Sequence, residues 1–438
     1  MHRFSDWFAL DAVARQHWHA SSRERARAID ARLNAFLQIE PSSTVRTGPL
    51  RSLPYAVKDM LRTADHRPTG GLADGSGVAI TGSSTIAAKL DQAGADLVGF
   101  TGMTELASEP SGLNDAHGRV KNPWNTNYIS GGSSSGSAAA VASGAVAVAV
   151  GSDTGGSLRI PAFCCGVTAW KPTYGLVSTV GAMPLAPTLD TIGLLARGAA
   201  ELLPAARAMS PLPRTAPIRR LALLRDAFEE CAPAIRQGAA DFSYLLSGRG
   251  CSLGHVDALP AIEAIDNVTL TILFAESARA HRHHINDESI EPTLRRRLAK
   301  GLEISDATLA ENVARRAALI DAFESQVMVG LDAVIAPVMA ITTPTADLCD
   351  PKSDRFSGKI LYALSRFTRF VNLLGYPSIA VPTGFDPQGM PVGIQIIGRR
   401  NTDFALLELT QDMQSHSDWH GRVPAAVVDL YAARELSG

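Results

Sequence analysis

Gly131-Gly-Ser133-Ser-Ser-Gly-Ser137 opens a stretch that continues, after an Ala/Val run, into Gly151-Ser-Asp153-Thr-Gly-Gly-Ser157-Leu-Arg159-Ile-Pro161. From Ala138 to Val150 the residues are apolar apart from Ser143 and Gly144, which predicts a small-residue helix to about Gly144 and a buried strand over Ala145 to Val150. The strand is expected to end at Gly151. Gly155 and Gly156 allow positive φ and close backbone approach, and Ser157 is placed to cap a following helix that carries Pro161 in its first turns. Such a corner aims several N–H groups at one point beside a helix N-terminus, where negative charge is stabilised. A serine there is placed for acyl transfer through a tetrahedral oxyanion.

The chain has 438 residues, 46% hydrophobic and 19% charged, enough for a large core. A net charge of −2 leaves no electrostatic footprint for nucleic acid or an anionic membrane, and points to a small neutral partner or none. The five cysteines, Cys164, Cys165, Cys231, Cys251 and Cys349, are odd in number and lack zinc-like pairs, so a reduced, cytoplasmic compartment is expected. The N-terminus lacks an apolar signal core, and no uncharged apolar stretch is long enough to span a bilayer as a helix. A soluble, unprocessed protein follows.

Ser22 to Ile39 carries apolar residues at helical spacing up to Glu40-Pro41 and predicts an amphipathic helix. A short strand around Tyr55-Ala-Val57 then delivers Lys58 into the interior, an unusual destination for a lysine. A helix over Thr85 to Ala93 and a strand over Ala95 to Phe100 continue an alternation that argues for a layered α/β fold. After Arg197 the pattern turns helical: Pro260 to Asn286, Pro292 to Leu302 and Ser305 to Val329. Short strands at Leu331 to Pro337 and Ser378 to Val381 and a helix over Ala405 to Ser415 complete the reading. No linker rich in Pro, Gly or Ser divides these segments, so one α/β domain over residues 1–438 is expected.

Three other chemistries fit parts of this pattern. Gly132-Ser-Ser134-Ser-Gly136 matches the nucleophile elbow G-x-S-x-G, but an elbow needs an apolar strand immediately before it, and Pro123 to Ser130 is polar. A phosphate-cradling loop needs a lysine after its glycines, where this chain has alanines. Of His281, His283 and His284, only the first and last share a helix face and no third ligand is evident, so no metal is expected. A lone lysine is ordinarily a solvated group and a lone Gly/Ser run a linker; here the two occur together.

The segment Gly131 to Pro161 resembles the signature of the amidase signature family without a gap in spacing. Leu53-Pro-Tyr-Ala-Val-Lys58-Asp is similar to that family's lysine motif, and Thr101-Gly-Met-Thr-Glu105-Leu-Ala107 to a degraded copy of its next block. Trp170-Lys-Pro-Thr-Tyr-Gly175, Leu189-Asp190-Thr-Ile-Gly193, Tyr376 to Gly384 and Met390 to Gln395 extend the likeness. The matching motifs fall within 50–200 and 331–400; the more helical part, about 203–338, shows least resemblance and is expected to shape the substrate pocket.

The resemblance implies a large mixed, twisted β-sheet sandwiched between α-helices (α/β/α), often as a homodimer. Ser157 becomes the nucleophile and Lys58 its base. A serine hydroxyl needs such a base, and burial lowers a lysine pKa toward the neutral form that can serve. The link is Ser133, held by a cis peptide bond after Gly132. The backbone N–H groups of Thr154, Gly155, Gly156 and Ser157 form the oxyanion hole; Ser134, Asp153 and Arg159 support it; Ala107 and Ser108 lie near the acyl group. No metal or cofactor is called for.

The chain departs from the family in two places. Phe100-Thr-Gly102-Met stands where the family commonly reads Lys-Thr-Asn-Met, which weakens a match to the tRNA amidotransferase subunit. Ser135 stands where many members have glycine, as in malonamidase-like small-amide hydrolases. No membrane anchor is expected before the lysine motif and no added domain after the last block. The expectation is a stand-alone cytoplasmic amidase acting on a small amide through an acyl-enzyme, without nucleic acid or membrane partners. The alternatives are a glutamine-hydrolysing amidotransferase A-type subunit, a hydrolase of a urea-derived amide such as allophanate or a carboxybiuret, and a non-catalytic relative that keeps the scaffold.

Overall fold

The computed structural model describes residues 7–8, 10–41, 45–75, 78–210 and 214–430. Eleven strands build one sheet: β1 Phe36–Ile39, β2 Pro54–Lys58, β3 Asp96–Thr101, β4 Val148–Asp153, β5 Thr168–Lys171, β6 Thr191–Ala196, β7 Arg220–Leu224, β8 Ser252–Val256, β9 Ala333–Pro337, β10 Ser378–Phe385 and β11 Pro391–Gly398. Their order is β1-β3-β2-β4-β6-β5-β10-β11-β9-β7-β8. The sheet is mixed: β2 is parallel to β3 and β4, and β7 to β8 and β9, while the other pairs are antiparallel.

A strand buried on both faces reads as an unbroken apolar run, and Ala333-Val-Ile-Ala336 in β9 is one. Ala333 and Ile335 enter one core, Val334 and Ala336 the other. The helix Pro233–Gly248 packs Ile235, Phe242 and Leu246 into the first core; the helix Leu259–Ala280 packs Ile262, Ile265, Val268 and Ile272 into the second. Those steps of three, four and seven keep the apolar residues on one helical face. Each such side chain contributes about 1.5–3 kcal/mol on burial, which is what holds helices against both faces. The expected α/β fold with a mixed sheet between helices is what the chain forms. Among the described residues, no helix is long and apolar enough to cross a membrane.

Several boundaries differ from the sequence reading. The first helix is Ala12–Leu33 rather than Ser22 to Ile39. Asn34 adopts the left-handed conformation with φ 55°, and its Nδ2 donates to the carbonyls of His117 and Gly118, so Phe36 and Leu37 leave the helix for β1. The small-residue helix is Ser135–Ala142, and β4 starts at Val148 and runs beyond Gly151 to Asp153. Gly151 marks a close approach, not a strand end. It faces Gly193 in register, and a Cβ on it would lie 2.7 Å from Leu158 Cδ2. The helix expected to reach Asn286 ends at Ala280.

Candidate active site

Lys58 ends β2, which is flanked on both edges by the parallel strands β3 and β4. Its side chain is fully buried. Nζ donates to Ser133 Oγ at 2.7 Å and to Ser152 Oγ at 2.8 Å. Two hydroxyls and no carboxylate greet this amine. Burial therefore lowers the Lys58 pKa to about 7, although the fields of Asp153 and Asp190 pull it the other way. Near neutral pH a large share of the amine carries a free lone pair.

Ser133 follows Gly132 through a cis peptide bond, as the resemblance implied. Gly132 is required by space: a Cβ on it would sit 2.5 Å from the Glu109 carbonyl oxygen. The loop is tied on both sides. The Gly132 N–H donates to the Pro110 carbonyl at 2.7 Å, and the Ser134 N–H to the Ser157 carbonyl at 3.2 Å. Ser134 Oγ donates to the Ser152 carbonyl at 3.2 Å and accepts from the Ser152 N–H at 3.3 Å. Ser134 thereby stitches the loop to β4 and leaves the neighbouring Ser133 hydroxyl to Lys58.

The corner after β4 is organised by Asp153. Its carboxylate accepts from the Gly156 N–H at 2.9 Å, the Leu158 N–H at 3.2 Å, and Arg159 through Nε at 2.9 Å and Nη2 at 2.8 Å. Arg159 also donates to Asn372 Oδ1 at 2.7 Å and Gln395 Oε1 at 2.8 Å. Burial alone would raise the Asp153 pKa; the charge and hydrogen bonds of Arg159, with Lys171 and Asn372, overcome it and hold the group at about 2.

Two expectations about this corner need correction. Ser157 does not cap a helix: the helix is Arg159–Cys165, Leu158 occupies the N-cap without a side-chain bond, and Asp153 takes over the capping of the amides. The oxyanion hole expected from Thr154, Gly155, Gly156 and Ser157 cannot use Gly156, whose N–H is turned onto Asp153. The N–H groups of Gly155 and Ser157 make no hydrogen bond among the described residues. Only Gly156 has positive φ, 129°, and a Cβ on it would meet Thr368 Oγ1 at 2.2 Å. The same Thr368 hydroxyl donates to the Gly155 carbonyl at 2.6 Å, which fixes that peptide from behind.

A cavity of about 240 Å³ opens over Ser157, and Ala107, Ser108, Thr154 and Gly155 line it as well. The structure thus brings the two weakest sequence candidates, Ala107 and Ser108, beside the serine. Leu106 and Ala107 are held at φ 50° and 58°, a conformation that costs non-glycine residues of order 1 kcal/mol or more each. Leu273, Phe274, Leu294, Leu298 and Leu361 supply apolar lining. Two arginines interrupt it. Arg369 is clamped by Asp266 at 2.6 and 2.7 Å. Arg297, from the helix Pro292–Leu302, has neither ion pair nor hydrogen bond among the described residues, and burial lowers its pKa.

Sequence reasoning missed Ser152, Asn372, Thr368 and Arg297. Asp190, which accepts from Thr154 Oγ1 at 2.6 Å, and Gln395 lay inside recognised segments without a role. Asn372 has no local signal at all, because its partner Arg159 lies 213 residues away.

The sequence profile of the Amidase family matches residues 11–407. The A-type subunit of glutamyl-tRNA(Gln) amidotransferase from Pseudothermotoga lettingae is 30% identical over 448 residues, covering 93% of this chain and 96% of that protein. A solved amidase is similar with a TM-score of 0.81 at 27% identity, covering 93% of this chain and 100% of its own. The solved A-type subunit of glutamyl-tRNA(Gln) amidotransferase from Thermotoga maritima gives a TM-score of 0.81 at 25% identity, covering 98% of each chain.

Proposed function

Because this chain belongs to the amidase family, whose members act on amide carbon–nitrogen bonds, we propose that it hydrolyses a small amide through an acyl-enzyme on Ser157. The observation that carries this reading is the buried contact of Lys58 Nζ with Ser133 Oγ, 2.7 Å, beside a cavity lined by Ser157. The neutral Lys58 amine takes the Ser133 proton while Ser133 takes that of Ser157, whose oxygen attacks the amide carbon. The carbonyl oxygen becomes an oxyanion held by the N–H groups of Thr154, Gly155 and Ser157. As the intermediate collapses, the C–N bond breaks and the proton returns through Ser133 to the departing nitrogen. Water then cleaves the ester by the same relay run again.

Arg297 narrows the substrate. A guanidinium that makes no hydrogen bond among the described residues, although Glu109 and Glu291 lie within its field, favours an amide that also bears a carboxylate, since a fork of N–H donors on a carboxylate replaces the lost hydration. Glutamine satisfies this as well, and the likeness to the A-type subunit of glutamyl-tRNA(Gln) amidotransferase favours a second reading, the glutamine-hydrolysing component of a complex.

The test is ammonia release by the purified chain from malonamate, indoleacetamide, benzamide, allophanate and glutamine, with Ser157→Ala and Ser134→Ala alongside. The expected outcome is turnover of a carboxylate-bearing amide, reduced by about 10⁴-fold or more in Ser157→Ala and only about tenfold in Ser134→Ala. Full activity in Ser157→Ala would overturn the assignment, and turnover of glutamine alone would select the second reading.

A further inference from the structure

A second cavity of about 220 Å³ adjoins the first, and Glu109, Leu294, Arg297 and Leu361 line both. Five carboxylates face it, those of Glu105, Glu109, Asp115, Glu291 and Asp350. Four of them are occupied. Glu109 accepts from the Ser111 N–H at 2.7 Å and the Gly112 N–H at 3.1 Å. Glu291 accepts from the Leu294 N–H at 2.8 Å, Asp115 pairs with Lys352 at 2.8 Å, and Asp350 accepts from the Lys352 N–H at 2.9 Å.

Glu105 is different. It is 5% exposed, and Oε2 accepts from the Glu291 N–H at 2.9 Å, while Oε1 is buried with no hydrogen bond among the described residues. A buried carboxylate oxygen left in this condition costs free energy that a cation would remove. Among the cations of the wall, Lys352 is on Asp115, Arg119 Nη2 is on the Thr126 carbonyl at 2.6 Å, and Arg297 faces Glu109 and Glu291; none of them bonds to Glu105 Oε1. Burial also holds the Glu105 carboxyl above its ordinary value, the direction that an arriving positive charge would reverse.

We infer that this chamber binds the ammonium end of an alkylamine-bearing ligand, with Glu105 Oε1 as the acceptor. An alkylammonium suits it better than a metal ion because Leu113, Leu294, Pro351 and Leu361 line the space, and no cluster of three or more metal-ligating side chains exists among the described residues. The neck at Glu109 and Arg297 connects the ammonium to a carbonyl over Ser157. The chamber's part in substrate choice therefore rests on the amidase reading, whereas binding itself does not.

The experiment is calorimetric titration of the full chain carrying Ser157→Ala, with butylammonium, its neutral counterpart pentane, ammonium chloride and magnesium chloride as probes. Butylammonium is expected to bind, and Glu105→Gln to weaken it about tenfold or more while leaving pentane unaffected. Thr293→Trp, which places a bulky side chain into the chamber from a partly exposed helix start, is expected to abolish it, with circular dichroism and melting confirming the fold of both variants. No butylammonium binding by the folded protein, equal binding in folded Glu105→Gln, or binding of magnesium or bare ammonium in its place would overturn the inference. Butylammonium binding in a protein whose wild type hydrolyses no amide would sink the amidase reading and leave the chamber standing.

Discussion

On one side of the cavity, Arg159 places all three of its nitrogens on acceptors between 2.7 and 2.9 Å, and Asp153 answers with both carboxylate oxygens. On the other side, Arg297 makes no hydrogen bond among the described residues and Glu105 satisfies only one oxygen. Both regions are charged and both are largely withdrawn from water, so the difference is not one of burial. The corner spends its polar groups on itself, which fixes the positions of Ser157 and Gly155 before any substrate arrives. The wall leaves groups unpaired, and unpaired groups beside a cavity are what a ligand can complete. Rigidity thus marks where a reaction would take place, and incompleteness where a substrate would be chosen.

The largest effect that would break this contrast is at the relay. Lys58→Met is expected to lower kcat by about 10³-fold or more, because among the described residues Lys58 Nζ is the one side-chain hydrogen-bond partner of Ser133 Oγ. In the wild type, kcat/KM should rise with pH through about 7 as Lys58 loses its proton, and level off above. The same shift has a stability counterpart with a definite sign. The folded pKa lies below the unfolded value of about 10.4, so between these limits the unfolded chain binds more protons and Lys58 adds stability as pH rises, about 1.4 kcal/mol per unit. Urea titrations of wild type and Lys58→Met across that window should differ in slope accordingly.

Next in size is the corner itself. Asp153→Asn removes the charge facing a fully buried Arg159 and is expected to destabilise the fold by about 3–5 kcal/mol, read from denaturant midpoints. A neutral result would mean that the corner does not depend on this pair. The smallest effect sharpens the other half of the contrast. Arg297→Gln should shift the melting temperature less than Asp153→Asn, since it removes the field on Glu109 and Glu291 but no hydrogen bond, while raising KM for a carboxylate-bearing amide by about 10–100-fold relative to a neutral one.

The two regions also differed in how far the sequence exposed them. Ser133, Asp153, Ser157 and Arg159 stand in one stretch of the sequence, whereas Lys58 lies 75 residues before Ser133 and was joined to that stretch only by the family resemblance. The error at Gly156 was of another kind: residue type says that the backbone can bend there, yet which way the N–H points is set by Asp153 three positions earlier. Gly151 misled for a similar reason, since its opposite number Gly193 lies in a strand that the reading did not place. Asn372, Gln395 and Arg297 come from distant segments and converge only in the folded chain, so no local pattern could assign their partners. The layered α/β class was predictable from alternating elements and the mixed sheet between helices from the family resemblance, while the order of its eleven strands was not.

The claim on which the rest depends is that buried Lys58 activates Ser157 through Ser133. The most direct measurement is intact-mass and peptide analysis of the protein treated with phenylmethylsulfonyl fluoride, in wild type, Lys58→Met and Ser133→Ala. The account predicts a single sulfonyl adduct on Ser157 in the wild type, formed at least about 10²-fold more slowly in both folded variants. An adduct on Ser134, or one on Ser157 that forms at the wild-type rate without Lys58, would contradict it.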